Sequence, residues 1–267
     1  QYAQARAVFQ RIVALPVHTP LSADAAFMIA ASYAAEGEAQ RALQHYHRVT
    51  QQYGRSNITA LAYYRQGTLL EEAELLAMAV PALHAAERWA TEDQLRYQVR
   101  YRLGKIYVAL QHKDRAVAVF QRLLHDETTM AATAAERLSI GLMLQQLKAY
   151  EVTLQAFQQV LQYAQADDLR AEAQFWIAET YQLRGETQTA LATYRLVARR
   201  FPQQYIWAVT ALFRAGEIYE TLQQYREAMT MYKRVMTANS DNQRGRFAAE
   251  RLRYLKAKLD QSQRQGG

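Results

Sequence analysis

An all-α fold is predicted, a right-handed superhelical solenoid of antiparallel helix pairs with a period of about 37 residues, and three observations predict it. First, a small residue followed three positions later by a large apolar one recurs at Ala30 and Tyr33, Gly67 and Leu70, Gly104 and Tyr107, Gly141 and Leu144, Ala178 and Tyr181, and Gly216 and Tyr219. The intervals are 37, 37, 37, 37 and 38 residues. Second, another series follows each of these by about twelve residues and keeps the period: Ala42 with Tyr46, Ala79 with Leu83, Ala116 with Phe120, Thr153 with Phe157, Ala190 with Tyr194, and Ala228 with Tyr232. Self-similarity at such a period marks a stack of helix pairs. Third, half of the 267 residues are apolar, and only 10 are Gly and 4 are Pro. Ala, Leu, Gln and Arg lose little freedom on entering a helix, whereas Gly and Pro lose most.

The elements follow in order. Residues 1–15 read as the second helix of an incomplete pair, because Ala5, Phe9 and Ile12 match Ala42, Tyr46 and Val49. Pro16 and Pro20 bracket the first link, and Ser22 is expected to cap the next helix. Residues 22–242 hold six complete pairs, 243–260 a closing helix and 261–267 a flexible polar tail. Short turns join the helices of a pair, as in Ala35-Glu36-Gly37-Glu38, Gln111-His112-Lys113-Asp114 and Arg184-Gly185-Glu186-Thr187. Longer links such as Tyr53-Gly54-Arg55-Ser56-Asn57 and Arg200-Phe201-Pro202-Gln203 join successive pairs. Pro81 falls inside a second helix and is expected to kink or shorten it, because its ring clashes with the preceding turn. Gly104 is expected to face Ala116 at a narrow crossing, with Tyr107 and Phe120 filling the wider space beside it. A Gly inside a helix costs about 1 kcal/mol against Ala, so its recurrence points to a contact that needs it.

The run from Ala178-Glu179-Thr180-Tyr181 through Ala190-Leu191-Ala192-Thr193-Tyr194 to Phe201-Pro202 resembles a tetratricopeptide repeat. So does Gly216-Glu217-Ile218-Tyr219 followed by Tyr225-Arg226-Glu227-Ala228 and Tyr232. The resemblance covers residues 1 to about 255, with two departures: most units lack the terminal Pro, and the period exceeds the family's roughly 34 residues. The strings Arg199-Arg200-Phe201-Pro202, Ala211-Leu212-Phe213-Arg214-Ala215-Gly216 and Tyr225-Arg226-Glu227-Ala228-Met229 are similar to repeats in outer-membrane assembly lipoproteins and in the periplasmic coordinator of the Tol-Pal system. These likenesses imply a non-enzymatic protein-protein interaction scaffold or adaptor in a bacterial cell envelope, in the periplasm or associated with the outer membrane. A cytoplasmic regulatory adaptor is the alternative. The chain opens at Gln1 within a helical pattern, so a preceding segment with a signal or membrane attachment is expected, as is end-to-end self-association through the exposed first helix.

The resemblance further implies that the first helix of each pair lines a concave surface holding a peptide segment or a protein surface. Phe27, Tyr64, Tyr101, Leu138, Phe175 and Phe213 would form a ladder there, beside Met28, Arg65, Arg102, Ser139, Trp176 and Arg214. Lys105, Glu179 and Glu217 stand one turn further along. The expected binding residues are Phe27, Tyr64, Arg65, Tyr101, Arg102, Lys105, Phe175, Trp176, Phe213 and Arg214: aromatics for apolar contact, cations for an acidic partner. The competing reading of each aromatic is packing between repeats. Relatives that hold the carboxylate ends of heat-shock chaperones use Lys and Asn on these positions; with no Asn there, a chaperone-tail clamp is disfavoured.

Other chemistry is sparse. No cysteine is present, which excludes disulfides and thiolate metal sites. The six histidines are scattered, His45 and His47 share no helix face, and neither a His-Glu-x-x-His spacing nor a Gly-rich phosphate loop occurs, so no metal and no cofactor is expected. Glu71-Glu72 and Asp167-Asp168 read as helix-terminal or solvent-facing charge rather than catalytic pairs. The net charge is +7, with basic clusters at Arg195, Arg199 and Arg200, at Lys233 and Arg234, and at Arg244, Arg246, Arg251, Arg253, Lys256 and Lys258. Nucleic-acid binding through the basic closing helix is a less favoured reading, because Glu250 and Asp260 interrupt that cluster and a polar face is what a terminal helix of a stack requires.

Overall fold

A computed structural model describes residues 1–15, 19–125, 132–238 and 243–265, with side chains through Gln261. The chain divides into two compact units, Gln1–Ala132 and Thr133–Gly267. The first contains α1 (Tyr2–Val13), α2 (Pro20–Ala35), α3 (Ala39–Gln52), α4 (Asn57–Glu72), α5 (Leu76–Trp89), α6 (Asp93–Ala109) and α7 (Lys113–His125). The second contains α8 (Ala134–Gln146), α9 (Tyr150–Tyr163), α10 (Asp167–Leu183), α11 (Thr187–Arg200), α12 (Tyr205–Thr221), α13 (Tyr225–Ala238) and α14 (Gln243–Gln265). Each unit is an all-α solenoid of antiparallel helix pairs, in which a helix packs on its sequence neighbours and first helices also touch first helices of adjacent pairs.

The two helices of a pair differ in pattern because they differ in surroundings. On α3, Ala42, Tyr46 and Val49 are buried at helical spacing while Arg41, Gln44, His47 and Arg48 are exposed, a single apolar stripe. On α2, Ala23, Ala25, Phe27, Ile29 and Ala30 are all buried, because that helix packs on α1, α3 and α4.

The recurring glycines lie closest to the large residue of the second series. A methyl group added to Gly67 would stand 2.6 Å from Leu83 Cδ2, and one added to Gly216 would stand 2.8 Å from Tyr232 Cε1. At Gly104 the nearest atoms are ring carbons of Phe120, so the ring expected beside the narrow crossing reaches over the glycine itself. Tyr46, Leu83, Phe120, Phe157, Tyr194 and Tyr232 are each almost wholly buried. Each such side chain contributes about 1.5–3 kcal/mol of transfer free energy.

Turns within pairs share one geometry. The residue after the C-cap of each first helix adopts a left-handed conformation: Gly37 and Gly185, but also Glu74, Gln111, Lys148 and Gln223 at φ of 55 to 60°. In every case the next N–H reaches back to the helix, as in Glu38 N–H to Tyr33 O at 2.9 Å and Gln224 N–H to Tyr219 O at 2.8 Å, which satisfies carbonyls the helix end would otherwise leave open.

Three other expectations change. Thr19, not Ser22, is the N-cap of α2: its hydroxyl accepts from Ser22 N–H, the Ser22 hydroxyl accepts from Thr19 N–H, and Pro20 occupies the first turn. Pro16 lies outside the described residues. Pro81 does not shorten α5, which keeps 14 residues like α3. Ala77, whose carbonyl Pro81 cannot serve, is exposed to water that can. The closing helix α14 runs to Gln265 rather than ending at 260.

Candidate protein-binding face

The side chains expected on the first-helix face have unequal fates. Within the first unit Phe27 is buried, its ring 5.3 Å from that of Tyr46. Tyr64 and Tyr101 are half-buried; Tyr101 stacks on Tyr97 at 6.3 Å and meets Phe120 edge-on at 6.5 Å. Within the second unit Leu138 and Phe175 are buried, and Phe175 touches Tyr194, Trp176 and Trp207 at centroid distances of 5.4 to 5.7 Å. Phe213 is half-buried between Tyr232 and Phe247, each 5.6 Å away. Phe27, Tyr101, Phe175 and Phe213 therefore each pack on a ring of a second helix, and Phe27 and Phe175 belong to the core.

The cations separate into engaged and open. Arg102 on α6 pairs with Glu71 on α4 and lies 5.4 Å from the Tyr64 ring. Burial disfavours its charge, but Glu71 and Tyr64 outweigh that and raise its pKa. Glu71 is thus an ion-pair partner between neighbouring pairs, a correction to its reading as solvent-facing charge. Arg214 on α12 bridges Glu179 on α10 at 3.0 Å and Glu217 on its own helix at 3.1 Å; burial again works against the charge and the two carboxylates overcome it. Arg251 on α14 pairs with Glu220 on α12. Arg65 and Lys105 are exposed and form no ion pair among the described residues.

Buried tyrosines of the second helices tie into this network. Tyr194 Oη donates to Glu179 Oε1 at 2.7 Å and lies 2.9 Å from the side-chain amide of Gln182, and Tyr232 Oη donates to Glu220 Oε2 at 3.1 Å. Burial raises both phenol pKa values, and for Tyr194 the Glu179 carboxylate raises it further. Sequence reading missed Glu220 and the tyrosine hydroxyls, and placed Arg251 only in the basic cluster of the closing helix. A usable signal existed in the recurrence of Glu and Arg 31 residues apart, at Glu71 and Arg102 and at Glu220 and Arg251.

Elsewhere, Arg195, Arg199 and Arg234 wall a cleft of about 480 Å³ between α11 and α13. Trp176 Nε1–H donates to Glu172 at 3.3 Å, and desolvation raises the Glu172 pKa. Among the described residues no group of three or more His, Cys, Asp or Glu side chains could hold a metal ion, and no helix is long and apolar enough to cross a membrane.

Tetratricopeptide repeat profiles match residues 1–57, 98–127, 172–203 and 209–242, together more than half of the chain. The chain belongs to the tetratricopeptide repeat family. Solved structures similar to this tetratricopeptide protein include the C-terminal part of a TPR repeat-containing protein from Cytophaga hutchinsonii, at 14% identity over 92% of this chain and 94% of that one, with a TM-score of 0.63. YrrB, described as a TPR protein with an unusual peptide-binding site, is 18% identical over 77% of this chain and 97% of its own, with a TM-score of 0.50. A chain in the structure of Naa15/Naa10 bound to HypK-THB is 13% identical, and 96% of the tetratricopeptide chain aligns with 37% of it at a TM-score of 0.68. At these identities the likeness is one of fold. No curated protein matches the chain in sequence.

Proposed function

We propose that this tetratricopeptide protein is a protein-binding scaffold that takes a segment of its partner along the face formed by the first helices. The observation that carries this reading is in the first unit, where Arg65 and Lys105 extend to solvent from α4 and α6 beside the half-buried rings of Tyr64 and Tyr101. Open cations next to partly exposed aromatic rings suit an acidic or amphipathic segment, which gains charge pairing and apolar contact together. The peptide-binding site named for YrrB supports the class of activity. The cell-envelope setting, with attachment through a preceding segment, rests on the resemblance of Arg199-Arg200-Phe201-Pro202 and Tyr225-Arg226-Glu227-Ala228-Met229 to envelope repeats, and belongs to the same proposal. So does self-association through α1, which buries none of its residues fully.

Photo-cross-linking tests it. A photoreactive residue at 65 or 105 should capture a defined partner segment in cells, whereas one at Arg48 or Arg122, exposed on second helices, should not. Capture only from the second-helix positions would overturn the assignment of the face. Capture of nucleic acid by residues at 195 and 199 instead would move the function to the arginine cleft.

A further inference from the structure

Arg65, Arg102 and Arg214 hold the same place in their repeats, two residues before the small residue of a first helix. Arg102 reaches back to Glu71, four residues after the small residue of the preceding pair, and Arg214 to Glu179, one residue after it. In the pair that precedes Arg65 those two positions are Ala34 and Ala31. On its own helix, where Arg214 has Glu217, Arg65 has the uncharged Thr68. At none of these three positions does Arg65 meet a carboxylate.

The same two alanines take the acceptor away from a second donor. Tyr194 donates to Glu179 and touches the Gln182 side-chain amide, residues that stand one and four places after Ala178. Tyr46 occupies the equivalent place and is 1% exposed, yet opposite it stand Ala31 and Ala34 and its hydroxyl has no hydrogen-bond partner among the described residues. Burial pushes the Tyr46 pKa up to about 12 against the opposing charge of Arg65, so the phenol keeps its proton at neutral pH. Both donors line one cavity of about 350 Å³ within the first unit, walled by Phe27, Ala31, Ala34 and Leu69. Glu72 also lines it, seven residues beyond Arg65 on α4, and forms no ion pair with Arg65.

We propose that this cavity binds a carboxylate carried by the partner peptide, accepting from Tyr46 Oη and from the Arg65 guanidinium in the place that Glu179 and Gln182 take around Tyr194. The proposal rests on the scaffold reading and names the chemistry its partner must present. Charge-assisted hydrogen bonds from a guanidinium and a phenol select an anion, and the walls of Phe27 and Leu69 select an apolar neighbour to it.

The test is an NMR titration of the full chain, read at the methyl groups of Ala31 and Ala34, with three N-acetylated tripeptides: amidated Leu-Glu-Leu, amidated Leu-Gln-Leu, and Leu-Gln-Leu with a free C-terminus. One or both carboxylate-bearing peptides should bind saturably and the amidated Gln peptide should not; which of the two binds tells a side-chain from a terminal carboxylate. Arg65→Met, at an exposed position, and Tyr46→Phe, which keeps the ring, should each weaken binding about tenfold. Ala34→Glu should abolish it by supplying the carboxylate from the chain itself, and should raise the melting temperature only while Arg65 is present. No saturable binding of either carboxylate peptide, or undiminished binding to Arg65→Met, overturns the proposal. Cross-linking from position 105 that persists in Ala34→Glu, in the absence of peptide binding, would sink the cavity and leave the scaffold standing. A titration that succeeds while the first-helix face captures nothing in cells would do the reverse.

Discussion

Gly104 lies so close to Phe120 that a methyl group on it would come within 3.0 Å of three ring atoms. The helix backbone itself is one wall of the socket for the ring. Gly104→Ala should therefore lower stability by about 1–3 kcal/mol, even though Ala is the better helix former. Urea unfolding measures this, with Gly54→Ala as control, since a methyl group there meets nothing within 4 Å. Replacing Phe120 with Leu alongside Gly104→Ala should recover part of the loss; equal stability of wild type and Gly104→Ala would show the socket to be loose.

The turns of four pairs carry a strain that two pairs avoid. Glu74, Gln111, Lys148 and Gln223 hold left-handed backbone that a side chain disfavours by about 1–2 kcal/mol, whereas Gly37 and Gly185 hold it freely. Substituting Gly at any of the four should raise stability by about 0.5–1 kcal/mol, the relief of strain exceeding the added entropy of the unfolded chain. Gly185→Ala should act in the opposite direction. Thermal unfolding of the single variants decides it.

Glu179 accepts from Tyr194 and pairs with Arg214, so its removal takes the charged acceptor from a buried phenol and leaves it only the Gln182 amide. Glu179→Ala should cost more than Arg214→Ala, because Arg214 is half-exposed and its pairing is screened by solvent. A double-mutant cycle between them should give a coupling of about 0.5–1 kcal/mol that shrinks in high salt. A salt-independent coupling would contradict the assignment.

Two groups give the pH dependence opposite signs. Burial, with Arg48 and Arg6 nearby, lowers the pKa of His45, whose ring stacks on Tyr33. As pH falls below the unfolded value of 6.5, the unfolded chain takes up this proton and the folded chain does not, so stability drops until the lower folded pKa is passed. Burial raises the pKa of Glu172, so the folded chain binds that proton first and stability rises as pH falls through the folded pKa. His45→Gln should flatten the loss between pH 7 and pH 5, and Glu172→Gln should remove the gain at lower pH. Melting temperatures across pH 4 to 8 for the three proteins check both signs.

The repeat was legible in the sequence because it rests on contacts with strong, local signatures. A Gly or Ala and a Tyr, Phe or Leu at fixed offsets mark the socket in each of the six pairs. Three features left weaker traces. The close approach of Phe120 to the glycine left little trace, since Ala116 and Phe120 lie on the same face of α7 and only geometry shows which side chain comes nearest Gly104. The left-handed turns at Glu74, Gln111, Lys148 and Gln223 carry no Gly to announce them. Arg102 and Arg214 looked open because the residues that occupy them belong to the preceding repeat, 31 and 35 positions back. Burial likewise decided between ring as core and ring as contact surface, taking Phe27 and Phe175 inside and leaving Tyr64 and Tyr101 half out.

The reach of each arginine into the preceding pair has a consequence for how such a chain can evolve. Turns and sockets are interchangeable from one pair to the next, so duplication or loss of a 37-residue block would leave them intact. The charges are not interchangeable. Excising the block that carries α4 and α5 would bring Arg102 opposite Ala31 and Ala34 in place of Glu71, and swapping α10 for α2 would strand Arg214. Apolar contacts make the modules, and ionic contacts write an address on each one, so the order of the modules becomes a heritable property in its own right.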